Sequence, residues 1–171
     1  MTTAKMKESP EIELQAPRFE DGKALLVAGF RNRYTTESMN NLPEQWQRFA
    51  RHIGNVPGQV GRMTYGLTFL SGNEGGIDYL SGVEVSSCSG LPEEFRCVSI
   101  PAQRYAVFVH RGHVSKLTET CDAIGKKWGP RSGYELARGS AEAPDFFERY
   151  TEEFDRRTGM GGMEVWIPIK S

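Results

Sequence analysis

Apolar and polar residues alternate with a period of two over much of this chain, and the spacing becomes helical twice. The clearest alternation comes near the C-terminal end. Side chains on a strand point to opposite faces in turn. Met163, Val165, Ile167 and Ile169 therefore form an apolar row, while Glu164 and Trp166 face the other way with Pro168 beyond them. Similar patterns predict strands over 11–15, 23–32, 63–70, 77–85, 95–100 and 105–110, and a short extended piece over 134–137. Leu42, Trp46, Phe49, Ala50 and Ile53 recur at helical spacing. Thr35, Thr36 and Ser38 are caps for this helix, Pro43 suits its first turn, and Gly54 and Pro57 end it. Val114, Leu117, Cys121, Ile124 and Trp128 form a second helical stripe, stopped by Gly129 and Pro130.

The stretch 144–154 fits either period. As a strand it places Phe146, Glu148, Tyr150 and Phe154 on one face, the acid interrupting an aromatic row. A duplication decides for the strand. Ala28, Phe30, Asn32 and Arg33 are answered at the same spacing by Ala106, Phe108, His110 and Arg111. Asp78, Leu80 and Gly82 are answered by Glu164, Trp166 and Pro168, and the segment 65–69 by 150–154. Each half then reads strand, strand, helix, strand, strand. The expected fold is α+β: two βαββ units joined into one antiparallel sheet system, a helix from each half covering its apolar faces, and the opposite faces meeting at a pseudo-twofold groove.

Length and composition narrow the classes. With 171 residues the chain is long enough for one compact domain with a full core. A polar tail over 1–8 and a single domain over 9–171, with halves of about 9–90 and 91–171, are expected. The formal net charge is −1, so no basic excess exists to neutralise a phosphate backbone, and direct nucleic-acid binding is not expected. No apolar run is long enough to span a membrane, and the polar start shows no secretory signal. Cys88, Cys97 and Cys121 are odd in number and lack a CxxC spacing, so they read as reduced thiols of a cytoplasmic protein. His110 and His113 have no acid or cysteine at ligand spacing. His110 reads as a strand-end residue bonded to the following turn, and neither a metal nor a cofactor is expected. No nucleophile elbow, phosphate loop or dinucleotide motif is present.

Three stretches carry a family resemblance: IPAQRYAVFVHRGH over 100–113, YLSGVEV over 79–85 and EVWIPIK over 164–170. On these the chain resembles the GyrI-like (SOUL-type) small-molecule-binding domain, the effector-binding domain of AraC- and MerR-type bacterial regulators. No helix-turn-helix candidate accompanies it, so the standalone form is expected. The resemblance implies a groove for aromatic, often cationic, drug-like molecules, with an acid of the last strand and an aromatic two residues on facing it. Those positions are Glu164 and Trp166. Some relatives in this family hydrolyse cyclopropane-bearing toxins, and one inhibits DNA gyrase. Glu164 is the acid or base if this chain is an enzyme.

The candidate ligand-binding set is Glu164, Trp166, Tyr65, Tyr150, Phe69 and Asp78. A carboxylate among aromatics loses solvation that an organic cation restores, and Trp166 adds a cation–π surface. Tyr65 and Tyr150 carry hydroxyls that need partners, which suits a wet site. Phe69 serves the core as well as the groove wall, and Asp78 is the first-half counterpart of Glu164 or an exposed hairpin acid. Glu148 reads as a solvated acid and Trp46 as core. The expected partner is a small hydrophobic or cationic ligand, and a homodimer is left open.

Overall fold

The computed structural model describes residues 14–70 and 75–170. The expected tail over 1–8, most of the strand expected over 11–15, and the turn residues 71–74 lie outside them. Eight strands form one antiparallel sheet: β1 (Arg18–Gly22), β2 (Leu25–Thr35), β3 (Gln59–Phe69), β4 (Gly76–Val85), β5 (Arg96–Ile100), β6 (Gln103–His110), β7 (Phe146–Tyr150) and β8 (Met163–Ile169). Their spatial order is β1-β6-β8-β7-β3-β4-β2-β5. The helices are α1 (Leu42–Ala50), α2 (Leu117–Ala123) and the short α3 (Gly129–Ser132).

The duplication is real in the topology. One half, β2-α1-β3-β4, meets the other, β6-α2-β7-β8, where β3 pairs with β7. The leading strands are exchanged between halves: β1 pairs with β6, and β5 pairs with β2. Only Lys23 and Ala24 connect β1 to β2, and only Pro101 and Ala102 connect β5 to β6. Two residues reach about 10 Å. The two edges of the sheet must therefore come close, and the sheet curls on itself.

This curl changes the expected groove. The sheet face away from the helices does not meet its partner across an open cleft. It closes around a core of Val27, Tyr65, Leu67, Phe69, Leu80, Val98, Ile100, Tyr105, Val107, Phe147 and Trp166, all buried. Trp166 stacks on Phe147 at 5.6 Å with the ring planes 13° apart, and Tyr105 meets both edge-on. The outer face carries the helices. Phe49 of α1 packs with Ala28, Val83 and Phe95, and Leu117 of α2 and Ile124 pack with Ala106, Phe108 and Val165.

Several local expectations are corrected. Thr35 and Ser38 bond to each other rather than capping α1, and a 3₁₀ turn, Met39–Asn41, intervenes. The second helical stripe is not one helix. It runs as a 3₁₀ turn (Val114–Lys116), α2, a π turn (Ile124–Trp128) and α3. Pro130 does not stop it, because it falls in the first turn of α3, where a missing N–H goes unneeded; Gly133, at φ +81°, ends it. The segments 65–69 and 150–154 do not match in phase: β7 ends at Tyr150, and Tyr150 lies opposite Thr64, the neighbour of Tyr65. One residue flips the face of a strand, so Tyr65 points into the closed core and Tyr150 outward. The thiols are not all free: Cys88, in the loop after β4, and Cys97 of β5 form a disulfide with their Cα atoms 5.8 Å apart, leaving Cys121 reduced.

Candidate functional site

On the outer face α1 lies over β2 and β4, and α2 over the second half of the sheet. The strip between them belongs to β3 and β7. Glu148 sits there on β7, 8% exposed. Tyr79 of β4 and Tyr150 of β7 both donate hydrogen bonds to its Oε1 at 2.8 Å. Trp46 of α1 donates from Nε1 to the Tyr79 hydroxyl at 3.1 Å, and its ring meets Tyr150 edge-on at 5.4 Å. Phe154 packs on Tyr150 at 5.0 Å. Cys121 borders the same space from α2, where it packs against the cluster that includes Tyr150 and Trp46.

The sequence builds this arrangement locally. The period of β7 turns Phe146, Glu148 and Tyr150 outward, while Phe147 and Arg149 face the closed core. Opposite Glu148 in the register stands Gly66, whose missing side chain leaves room for the Tyr79 hydroxyl. Helix α1 is fixed by Gln45, fully buried, which accepts from Asn32 and Tyr34 and donates to the carbonyl oxygens of Phe30 and Tyr79 and to Ser81. Trp46 follows directly in sequence. His110 anchors α2 in the same manner: Nδ1 accepts from Thr120 at 2.7 Å, and Nε2 donates to the carbonyl of His113 at 2.9 Å. The expected bond from His110 to its following turn is therefore present.

Among the described residues no Lys, Arg or His forms an ion pair with Glu148. Burial pushes its carboxyl up to about 7, against the two phenol bonds that favour the charged form. Burial, and then the charge of Glu148, hold both phenols well above their ordinary value. Burial followed by the same charge does so for the Cys121 thiol. Glu148 Oε2 takes no hydrogen bond among the described residues. No fully buried side-chain oxygen or nitrogen there lacks a partner, so Oε2 is the oxygen that keeps an opening.

The expected site residues fall in different places. Tyr150 is in this site. Tyr65, Phe69 and Trp166 are in the closed core, 4%, 0% and 5% exposed. Glu164 lies at one end of that core. Its Oε1 accepts from Arg149 at 2.8 and 2.9 Å and from Trp166 Nε1 at 3.0 Å, and its Oε2 accepts from Arg18 at 2.9 Å. Burial alone raises this carboxyl, but the Trp166 and Arg18 hydrogen bonds and the two arginine charges outweigh it and hold it below its ordinary value. The Arg149 guanidinium also covers the Trp166 ring at 4.5 Å. Asp78 repeats the theme in the first half. It pairs with Arg31 at 3.0 Å, and Arg31 stacks on Phe69 at 3.7 Å. Each half of the core is thus covered by an arginine laid on an aromatic ring and pinned by a carboxylate.

Glu148, Tyr79 and Trp46 escaped selection from the sequence. Glu148 read as solvated, and it is buried. A signal for it was present: an acid inside an aromatic row of one strand face stands where the pattern demands burial. No group of three or more His, Cys, Asp or Glu residues is placed to hold a metal, and no helix is long and apolar enough to cross a membrane, among the described residues. A concavity of about 740 Å³ lies elsewhere, between the end of β1, the start of β6 and residues 133–135. Its charged rim is self-paired, Arg104 with Asp21 and Lys170 with Glu135, and it holds no buried ionisable group. The Glu148 strip is the better candidate on chemistry.

A duplicated, curled antiparallel sheet with two helices over its outer face defines a class of small-molecule-binding domains. The chain belongs to the GyrI-like family: the GyrI-like small molecule binding domain matches residues 15–170. Transcriptional regulator BrlR of Pseudomonas aeruginosa is 28% identical over 132 residues, covering 76% of this chain and 47% of BrlR, so the chain spans about half the length of that relative. SAV2435, solved bound to tetraphenylphosphonium, matches with a TM-score of 0.70 at 17% identity, over 92% of this chain and 95% of that one. The C-terminal domain of EcmrR matches with a TM-score of 0.65 at 14% identity, over 94% and 99% of the two chains. At these identities the two structures speak for the fold.

Proposed function

We propose that this protein binds aromatic or cationic small molecules between α1 and α2, with Glu148 as the charge partner. The observation that carries the reading is the state of Glu148. It is a buried carboxyl without a basic partner, its Oε1 held by two phenols and its Oε2 open. A cation there restores the solvation that burial removes. The rings of Trp46, Tyr150 and Phe154 offer the cation–π and stacking surface beside it. The tetraphenylphosphonium in the structure of SAV2435 supports this ligand class. Glu164, the acid expected from the sequence, is already neutralised by Arg18 and Arg149 and is the weaker partner. Kinship with a transcriptional regulator supports a cytoplasmic sensing role, and the net charge of −1 supports action through the ligand rather than direct contact with nucleic acid.

Titration calorimetry with tetraphenylphosphonium and a panel of cationic dyes tests this. E148Q is expected to lose tenfold or more in affinity for cations, and E164Q less than twofold. Equal losses in the two variants, or no binding by the wild type, reject the assignment.

One observation also favours a hydrolytic reading. A carboxyl near neutrality beside two phenols suits general acid–base work. Mass spectrometry of reactive cyclopropane compounds incubated with the protein decides it, and absence of turnover removes the catalytic claim.

A further inference from the structure

We propose that Tyr79 is a positioning residue that couples helix α1 to the charge of Glu148, through a relay running from Trp46 Nε1 to the Tyr79 hydroxyl to Glu148 Oε1. The inference rests on the binding site proposed above and adds a regulation to it.

The geometry has three parts. First, the Tyr79 hydroxyl has one proton and gives it to Glu148 at 2.8 Å, while it accepts the Trp46 indole N–H at 3.1 Å. A hydroxyl that accepts a hydrogen bond becomes a better donor, because each bond polarises the next. The position of α1 therefore sets how strongly Tyr79 stabilises the carboxylate. Second, the relay crosses the sheet at a place made for it. A Cβ on Gly66 would lie 1.9 Å from the Tyr79 hydroxyl and 2.6 Å from Glu148 Oε1. Only a glycine on β3 lets a β4 side chain reach a β7 carboxylate. Third, nothing else supplies the charge balance. The groups around Glu148 are Tyr79 from β4, Tyr150 from β7, Cys121 from α2 and Trp46 from α1, and none is a base. With two donors in all, the loss of one is felt strongly.

The functional consequence concerns α1. Its inner side holds both the Gln45 anchor and Trp46. A ligand that displaces the Trp46 ring breaks the first bond of the relay, weakens the second, and makes Glu148 a weaker acid. A ligand that leaves Trp46 in place keeps the carboxylate charged. The site thereby distinguishes cations that slide beside the indole from those that push it away.

The test reads the Glu148 carboxyl directly, by ¹³C chemical shift across a pH titration of the ligand-free protein, with E148Q to assign the resonance. Y79F is expected to move the midpoint up by about one pH unit or more, the size of a hydrogen bond to a charged group. W46F should move it in the same direction by less, and should add nothing in the Y79F background. Tetraphenylphosphonium affinity at pH 7 falls several-fold in Y79F and returns to within twofold of wild type above pH 9. A folded Y79F with an unmoved midpoint overturns the relay, as does a W46F effect that persists in the Y79F background. If Y79F does not fold, G66A carries the same expectation, an upward midpoint. If the wild type binds no cation, the proposed function fails while the carboxyl titration still decides the relay.

Discussion

The Tyr79 hydroxyl occupies the space that a side chain on Gly66 would fill, 1.9 Å from where its Cβ would sit. Gly66 lies in the middle of β3, paired with Ser81 and Glu148 on either side, where glycine ordinarily weakens a strand. The close approach explains a glycine at this position. G66A is therefore expected to lower the unfolding free energy by about 2–4 kcal/mol, in the range of overpacked or broken buried polar sites. Urea denaturation measures it. A change under ~0.5 kcal/mol would show that Tyr79 has somewhere else to go.

Glu148 makes stability depend on pH in an unusual direction. Its carboxyl stands at about 7 in the folded protein, above the value near 4.3 of an unfolded glutamate. The neutral form is the one that the fold favours. Its contribution is fully present below about pH 4 and is lost as pH rises through 7, a change of about 3–4 kcal/mol. E148Q keeps an oxygen for both phenols and carries no charge. It is expected to match wild type near pH 5 and to exceed it at pH 8.5, by up to that amount. Denaturation curves at the two pH values compare them, and parallel behaviour of wild type and variant would falsify the buried-acid assignment.

Much of the fold was legible because it rests on local periods. β8, β6 and both helical stripes announce themselves in the alternation of apolar residues, and Asn32 and His110, matched in the duplication, each anchor the helix of their own half. The closure of the sheet was not legible, since it follows from β1 pairing with β6 and β5 with β2, pairings that no local pattern encodes. Glu164 looked available because its partners, Arg18 and Arg149, come from two other strands. Tyr65 and Tyr150 looked equivalent because the phase of a repeat is invisible in composition and decisive in a sheet. The disulfide joins cysteines nine residues apart, a spacing with no signature of its own.

That disulfide closes a short loop onto the edge strand β5, beside Phe95, which packs against Phe30 and Phe49. Closing a loop of this size is worth about 2–3 kcal/mol through the entropy of the unfolded chain. Reduction, or C88S with C97S, is expected to lower Tm by about 5–10 °C. The Glu148 site lies across the sheet from β5 and should keep its ligand affinity within twofold. An unchanged melting temperature under reductant indicates that the bridge does not form in solution.

The arginines over the core are expected to serve stability rather than binding. Arg149 pins Glu164 and lies on Trp166, and both charged groups are largely buried, 22% and 13% exposed. Removing the arginine leaves the carboxylate with Arg18 as its one cation and the Trp166 indole N–H as its other donor, so R149M is expected to cost about 1–3 kcal/mol. The sign with pH is opposite to that of Glu148. The Glu164 carboxyl is held below its ordinary value, so its contribution is present above about pH 4 and is lost as pH falls through the folded-state value. R149M should therefore lose less stability than wild type between pH 6 and pH 3. Cation affinity is expected to stay within twofold, which separates this cluster from the site.

Cation binding itself should follow the charge of Glu148. Below about pH 7 the carboxyl is protonated, and a cation must expel the proton before it gains a partner. Affinity for a permanently charged ligand such as tetraphenylphosphonium is then expected to be flat above about pH 8 and to fall roughly tenfold for each pH unit below 7, with about one proton released per ligand at pH 6. Calorimetry in two buffers of different ionisation enthalpy counts that proton. E148Q should bind weakly at every pH and release none. A wild-type affinity that does not change between pH 5.5 and pH 8.5 means that the ligand's charge is met by some other group.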